Sequence, residues 1–416
     1  MKKLIVLIYL ILNFVNSYSG IYNFSDGAKD NFIPFVYYIN EAGVMVGDLY
    51  YNKNFLKRDG IWTNVVLYSP QTNIFTFWNK FNDFKLNKKW SVTLDTQFIK
   101  FNDIKSGDIG NDSLNQKIPE DFLGILDGYQ NLSQEDKYYM GNKEYTKLSN
   151  NGKLVLQKLG LIPEDEKWKF NGYRLYKGNL LGNNLEFKYK INEKNNFKIG
   201  YSYQSLDTQV RDLKTDTLNL YFEHYKNKDY KMIVGVKKSL NLLGHNSEND
   251  WDYYKLSFDA RKYFKIYNNW DLGFRFLAIN MGGKKILDKE RTALKKLSGQ
   301  DEKIYIYAPF MDMALLGDLD TLKGYYYYRF FDNNAVLFQG ELKIPIEKYI
   351  KNLKIALLVE MGRVNDKFNL DLFTKDFHYD FGLGFRYYFG EKIVIRSDIS
   401  NSDEGTQIRM TQGEAF

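Results

Sequence analysis

The sequence predicts an all-β protein, a transmembrane antiparallel β-barrel of about 16 strands with long extracellular loops. Apolar and polar residues alternate with period two from about residue 32 to the last residue. Many of the alternating segments have about the nine to eleven residues that a tilted strand needs to cross a bilayer. The hydrophobic content is 44% and the mean hydropathy is −0.47, which is too polar for a membrane protein built from helices.

The predicted strands follow one another along the chain. They lie at approximately 32–40, 43–53, 61–69, 73–83, 89–101, 182–192, 196–205, 216–226, 229–240, 251–264, 270–281, 334–346, 353–362, 378–389, 392–400 and 406–416. In strand 378–389 the odd positions are apolar or aromatic, and the even positions include Asp380, Gly382, Gly384 and Arg386. This alternation predicts apolar side chains toward lipid and polar side chains toward the lumen. The two glycines are predicted to leave room for an inserted loop.

The links between the strands fall into two sets. Every second link is tight, as at Asn227-Lys228 and Gly390-Glu391, whereas the other set includes inserts at about 102–181 and 282–333. Short turns at one rim and long loops at the other are typical of outer-membrane barrels, and a soluble sandwich has no reason to sort its loops in this way. We place both inserts outside the cell and predict helices within them, at Leu148–Leu159 and Lys285–Leu297.

The two ends of the chain carry export and assembly patterns. Residues 1–19 combine Lys2 and Lys3, an apolar run and small residues before a cleavage point, as in a secretory signal peptide. The apolar run is shorter than the roughly 20 residues of a transmembrane anchor. Residues 20–31 are then a short periplasmic segment and residues 32–416 the barrel, located in a bacterial outer membrane. The terminal Phe416 is typical of the signal read by barrel-assembly machinery, although the polar Gln412 and Glu414 share its parity.

The residue types of an enzyme site are scarce. The chain has no cysteine and three histidines, and no serine motif accompanies the inward-facing His378. We therefore predict no enzymatic activity, no metal and no cofactor, and interpret His378 as a hydrogen-bonding residue of the lumen. A net charge of +7 does not argue for nucleic acid. The predicted partners are outer-membrane lipid, lipopolysaccharide and the barrel-assembly machinery that inserts the chain.

Ordered short motifs follow one another in the C-terminal part of the chain. They are Leu322-Lys323-Gly324-Tyr325, Arg329-Phe330-Phe331-Asp332 and Glu341-Leu342-Lys343-Ile344-Pro345. They resemble the Leu/Val-Arg-Gly-Tyr/Phe tetrad, the Arg-Phe-x-Asp stretch and the Glu-x-Arg-x-Pro strand of the BamA/TamA family, the bacterial surface antigen domain. The segments ALLVEMGRV, GLGFRYYFGEKIVIRSDIS and FIPFVYYINEAGVMVG are similar to further family segments. The family places its tetrad in the sixth extracellular loop, where the strand count places this one.

The resemblance implies that the second residue of the tetrad enters the lumen and pairs with an acid on strand thirteen. We call the corresponding residues of this chain the loop-six latch: Lys323, Gly324, Tyr325 and Glu360. The predicted lumen residues around it are Arg329, Asp332, Asp380, Arg386 and Asp398. Asp380 and Asp398 are alternative partners for Lys323. The family has arginine at this position, and lysine offers one flexible point charge instead of a planar fork. A solvated Lys323 on a mobile loop is therefore an open alternative.

The resemblance implies a role in assembling or translocating proteins at the outer membrane. Family members with that role carry periplasmic domains that receive clients, and the dozen or so residues before the first predicted strand leave no room for one, so the chain is expected to be a barrel alone. Its client is unknown. The alternative functions are a surface-exposed structural or adhesion antigen acting through its loops, and a pore restricted by the inserted loop.

Overall fold

We describe the protein from a computed structural model. The described residues are 30–39, 43–55, 59–106, 116–117, 132–136, 147–149, 152–153, 161–164, 167–170, 172–208, 212–226, 229–242, 251–267, 270–288, 291–292, 303–346, 352–389 and 393–412. The predicted signal peptide, all but the last two residues of the periplasmic segment, and Phe416 lie outside these ranges.

Sixteen strands form the wall of the barrel within the described residues. They are β1 (Asp30–Ile39), β2 (Gly43–Phe55), β3 (Gly60–Ser69), β4 (Ile74–Lys85), β5 (Trp90–Ser106), β6 (Gly172–Lys190), β7 (Asn195–Thr208), β8 (Asp212–Lys226), β9 (Tyr230–Ser239), β10 (Tyr253–Lys265), β11 (Asp271–Gly283), β12 (Asn334–Pro345), β13 (Leu353–Asn365), β14 (His378–Phe389), β15 (Ile393–Ser402) and β16 (Gly405–Gln412). The predicted number of strands is confirmed.

Each wall strand pairs antiparallel with its neighbours in chain order, and β16 pairs with β1. This last pairing closes the sheet, as a bilayer requires, because an open edge would leave backbone groups unpaired in lipid. Between described residues this closing pairing consists of Ile39 opposite Arg409, whereas eight residue pairs join β15 to β16. We call this junction of β1 and β16 the seam.

The links sort by rim, as predicted. On one rim, the short-turn rim, no link between wall strands exceeds the seven residues from Ile346 to Asn352. The other rim, the long-loop rim, carries residues 107–171, 240–252, 284–333 and 366–377. The predicted limits of the first insert were wrong, because β5 runs on to Ser106 and β6 begins at Gly172. At a rise of about 3.3 Å per residue and a tilt of about 45°, β6 reaches about 44 Å, beyond a hydrocarbon core of about 30 Å.

The two faces of the wall have opposite character. Outward positions carry exposed apolar side chains, among them Val359 (62% exposed) and Phe381 (63%). The intervening positions, such as Glu360 and Asp380, point inward and are 1% exposed. The predicted assignment of the odd face of residues 378–389 to lipid fits this exposure pattern. Among the described residues, no helix is long and apolar enough to cross a bilayer.

Short elements lie in the loops. They are the strands Gln116–Lys117, Leu161–Glu164, Lys167–Phe170, Ile286–Leu287, Tyr305–Ile306, Ala314–Leu316 and Phe330–Asp332, the 3-10 helix Phe310–Asp312 and the helix Asp371–Thr374. The predicted helix Lys285–Leu297 was wrong at its start, where Ile286–Leu287 pairs with Tyr305–Ile306 as a strand. Of the predicted helix Leu148–Leu159, residues 152–153 are helical, residues 148–149 are not, and the rest lies outside the described residues.

An apolar cluster fills the lumen near the long-loop rim. Wall residues Tyr253 and Leu337 pack there against the loop residues Leu316, Leu322 and Phe330, each 2% exposed or less. The segment between β11 and β12 therefore folds back into the barrel, and we call residues 310–332 the inserted loop. The prediction of a polar lumen therefore holds only between this cluster and the short-turn rim.

Candidate functional site

The loop-six latch lies deep in the lumen. The Lys323 ammonium contacts Oε1 of Glu360, and the Lys323 backbone N–H donates to Oε2 of the same carboxylate at 2.7 Å. Both side chains are 1% exposed. The structure thus places Lys323 against the acid that the family resemblance implied, and the alternative of a solvated Lys323 was wrong.

The geometry explains how lysine serves where the resemblance leads one to expect arginine. An arginine fork supplies two parallel hydrogen bonds to one carboxylate. Here Lys323 supplies one donor from its side chain and the second from its own backbone, so both oxygens of Glu360 are engaged. Leu322, with a φ of 43°, turns the chain at this point.

Gly324 continues the contact. Its N–H donates to Oδ2 of Asp380 at 3.0 Å, and its carbonyl accepts from the Ser402 hydroxyl at 2.8 Å. A Cβ added to Gly324 would lie 2.6 Å from Cβ of Asp380, so only glycine fits. Asp380 stands opposite Glu360 in the pairing of β13 with β14. Two carboxylates therefore meet one ammonium and two backbone donors in a site closed to water.

The aromatic part of the tetrad ties the loop to the last wall strands. The Tyr325 hydroxyl donates to Oδ1 of Asp403 at 2.7 Å and lies 3.1 Å from the Tyr379 carbonyl oxygen. Burial and this acidic neighbour raise the pKa of Tyr325, so the phenol stays a donor. The Arg409 guanidinium of β16 donates to the Tyr325 carbonyl and lies 4.8 Å from the centre of the Tyr327 ring. The inserted loop is thus fastened to a strand of the seam.

The other predicted lumen residues divide among several partners. Arg329 binds Glu404, with Nε 2.7 Å from Oε1, and Asp332 pairs with Arg291 at 3.0 Å. Asp398 lies 2.6 Å from Nη1 of Arg386, whose Nη2 is 2.8 Å from Glu341. The prediction of Asp398 as a partner for Lys323 was therefore wrong, because parity fixes the face of a residue and not its height in the barrel.

The prediction that Gly382 and Gly384 leave room for the inserted loop was also wrong. A side chain at Gly382 would meet Ser400, and one at Gly384 would meet Arg386 and Asp398, all of them wall residues. Room for the loop is made at Gly362, where a Cβ would lie 2.9 Å from Cδ1 of Leu316. His378 stacks on Phe330 with ring centres 3.8 Å apart and so belongs to the aromatic packing of the loop.

A second anchor, which the sequence did not predict, holds the start of the inserted loop. Asp312 is 3% exposed and accepts from Thr215 at 2.9 Å, from the Tyr253 hydroxyl and from the Lys237 ammonium. Lys255 donates to the Asp312 carbonyl at 3.1 Å. Burial alone would raise the pKa of Asp312, but the two ammonium groups outweigh it and hold the pKa at about 2. We call these residues the Asp312 anchor.

The latch and the Asp312 anchor lie on different parts of the wall. The anchor uses β8, β9 and β10, whereas the latch and its neighbours use β13 to β16. The inserted loop therefore crosses the lumen and is fixed at both ends by buried charges. Such an arrangement resists displacement, because freeing either end leaves an unpaired charge out of water.

Solved structures of CdiB proteins share this fold. CdiB from Escherichia coli aligns with a TM-score of 0.55 at 9% identity, covering 93% of this chain and 63% of that chain. CdiB from Acinetobacter baumannii aligns with a TM-score of 0.50 at 11% identity, covering 92% and 60%. BamA from Haemophilus ducreyi lacking POTRA domains 1–3 aligns with a TM-score of 0.49 at 10% identity, covering 92% and 70%.

The two CdiB alignments define a class of fold: a transmembrane β-barrel like that of the CdiB proteins. The chain spans 60% and 63% of the lengths of the two CdiB chains. No protein-family model matches the sequence, and no curated protein matches it either.

Proposed function

We propose that the chain is an outer-membrane protein of the BamA/TamA type that helps to insert or translocate other polypeptides through its seam. The observation that carries the proposal is the contrast between the seam and the rest of the wall. Between described residues, one residue pair joins β1 to β16, and eight join β15 to β16. A strand edge that is so weakly paired is a template for an incoming strand.

The inserted loop makes the seam asymmetric. Arg409 binds β16 to the loop, and Tyr325 and Arg329 bind the loop to Asp403 and Glu404 in the turn just before β16. An opening at the seam would then move β1 and leave β16 in place, so that a client would meet a rigid edge. The fold shared with CdiB and the motifs around Lys323 support this proposal.

Depletion of the protein tests the role. We expect the abundance of other outer-membrane barrels or surface proteins to fall when the protein is removed from cells that make it. Unchanged levels of all of them would contradict the proposed function.

A disulfide across the seam tests the mechanism. In an antiparallel arrangement with Ile39 opposite Arg409, Tyr38 would fall opposite Met410 if the register were extended by one residue, and the chain has no cysteine of its own. We expect cells with Tyr38→Cys/Met410→Cys to show the depletion phenotype when oxidised and to recover when reduced. The control pair Val66→Cys/Phe77→Cys, on the well-paired β3 and β4, should be active in both states. Full activity of the oxidised seam variant would rule out lateral opening.

A surface-binding role is the second candidate, and β5 and β6 favour it. These strands have 17 and 19 residues and rise beyond the bilayer. A deletion of residues 107–171 that abolished cell-surface binding, with outer-membrane protein levels unchanged, would favour this role. A pore is less well supported, because the inserted loop occupies the lumen.

A further inference from the structure

The outer face of the wall carries a groove across β9 to β13. Its volume is about 390 Å³, within the range of small-molecule sites. Most of the residues that line it, such as Lys262, Phe274 and Val359, occupy outward positions of the wall, and the inward positions Arg261, Arg275 and Gln339 also border it. The groove therefore opens toward the bilayer and is separate from the latch and the Asp312 anchor.

Small residues between large ones form the groove. Ala260 and Gly340 lie at its floor, and its sides are built from Phe274, Phe276, Phe338 and Val359. A Cβ added to Gly340 would have its nearest neighbours at 3.8 Å and 3.9 Å, which is ordinary van der Waals contact, so this position has room for a methyl group. Phe276 and Phe338 contact one another, with ring centres 5.0 Å apart, and close one side.

The groove changes from polar to apolar with depth. One row of paired residues crosses the five strands in the order Tyr230, Lys262, Phe274, Gly340 and Val359. Tyr230 is the first residue of β9, at the short-turn rim, and Val359 lies six residues beyond the start of β13. The row therefore starts with a phenol and an ammonium at the membrane surface and ends with apolar groups inside the hydrocarbon.

Lys262 is an unusual residue on this face. It stands between the outward-facing Ala260 and Phe264, and its ammonium lies 5.2 Å from the centre of the Phe264 ring. In the part of the chain that the structure describes, no carboxylate lies within ion-pair distance of it. A lysine on the lipid-facing wall extends its ammonium to the interface, where phosphate groups lie.

We propose that the groove is a binding site for a single glycerophospholipid of the leaflet at the short-turn rim. The phosphate binds the Lys262 ammonium beside the Tyr230 hydroxyl, and one acyl chain lies along Gly340 between the aromatic side chains. Lys262 selects the charged head group, and the absence of a side chain at Gly340 leaves room for the acyl chain. The site is independent of any role in protein assembly.

Native mass spectrometry of the full chain tests the site. The protein is purified in mild detergent, exposed to a fixed concentration of phosphatidylethanolamine or phosphatidylglycerol, and the bound lipid is counted. We expect Lys262→Met, which keeps the stem and removes the charge, to lower occupancy roughly tenfold. We expect Gly340→Leu, which places a side chain in the groove, to remove the bound lipid.

Two variants on other parts of the wall serve as matched controls. Lys194→Met removes an exposed charge from the same rim, and Leu185→Phe adds apolar volume to the outer face of β6. Both should keep wild-type occupancy, and all four variants should show the heat-dependent gel shift of a folded barrel. Unchanged lipid occupancy in folded Lys262→Met and Gly340→Leu would overturn the proposal. So would binding of lipopolysaccharide at this groove in preference to both phospholipids.

Discussion

Replacement of Glu360 by alanine should release the inserted loop. Glu360 accepts from the Lys323 ammonium, from the Lys323 backbone N–H at 2.7 Å and from Nε2 of Gln339 at 2.5 Å. All of these donors lose their acceptor in Glu360→Ala, and the ammonium stays in a site that is 1% exposed. The variant therefore removes one member of a buried ion pair and leaves the other without its partner.

The expected cost follows from that burial. Loss of one partner of a buried pair costs about 3–5 kcal/mol. Asp380 accepts from Gly324 at 3.0 Å and stands opposite Glu360 in the sheet, so a second carboxylate remains beside the latch, which favours the lower end of this range. A cost of about 3 kcal/mol raises the population with an open loop roughly a hundredfold. Glu360→Gln keeps the size of the side chain and one acceptor oxygen, and should raise the open-loop population roughly tenfold.

Thiol labelling measures this population. The chain has no cysteine, and Thr321, which is 5% exposed in the inserted loop, can be replaced by one. A maleimide in solution reaches this thiol only when the loop is open, so the ratio of labelling rates gives the ratio of open populations. Thr321→Cys alone supplies the reference rate.

The exposed pair of Lys85 and Asp59 is the matched control. Its atoms are 2.7 Å apart, but the side chains are 57% and 66% exposed. Solvent screens such an exposed pair, so Lys85→Ala should leave the labelling rate unchanged. If Glu360→Ala also labels at the reference rate, the pair with Lys323 does not hold the loop, and the reasoning fails.

Three further predictions use the same loop. Gly324→Ala would bring a Cβ to 2.6 Å from Asp380 and should speed labelling as strongly as Glu360→Ala; an unchanged rate would contradict the tight packing. Asp312, with its pKa at about 2, adds stability that is complete above its ordinary pKa of 3.8 and is lost as the pH falls through about 2. The gel-shift temperature of the wild type should therefore drop between roughly pH 4 and pH 2, and that of Asp312→Asn should not. Arg409→Ala frees the Tyr325 carbonyl and should raise labelling roughly tenfold, with Arg409→Lys intermediate; equal rates in all three proteins would exclude the contact.

The wall could be predicted from the sequence because the bilayer imposes it. Inside lipid every outward position must be apolar, so a period of two residues marks each strand and its facing. Above the bilayer this requirement ends, which is why the extensions of β5 to Ser106 and of β6 from Gly172 were missed. The short links could also be predicted, because a hairpin between neighbouring antiparallel strands needs few turn residues.

The site could be predicted only in part. The contact of Lys323 with Glu360 came from a resemblance and from strand counting, and its role as a latch stays a prediction. The sequence does carry one indication of the Asp312 anchor: Lys237 and Lys255 occupy inward positions, where a buried lysine needs an acidic partner. No pattern in the sequence predicted how deep in the barrel each residue lies. Asp398 has the right parity for Lys323 but binds Arg386, because the depth to which a loop inserts is not encoded by local sequence.

The route of the inserted loop has a consequence for the order of folding. Asp312 joins Thr215 across 97 positions of the chain, and Tyr325 joins Arg409 across 84. The interior is therefore incomplete until the final hairpin has been made, and a nascent barrel must hold unpaired charges until then. Such non-local contacts give a high contact order and slow folding. The protein should thus become resistant to proteases in one late step, after its last strand is available.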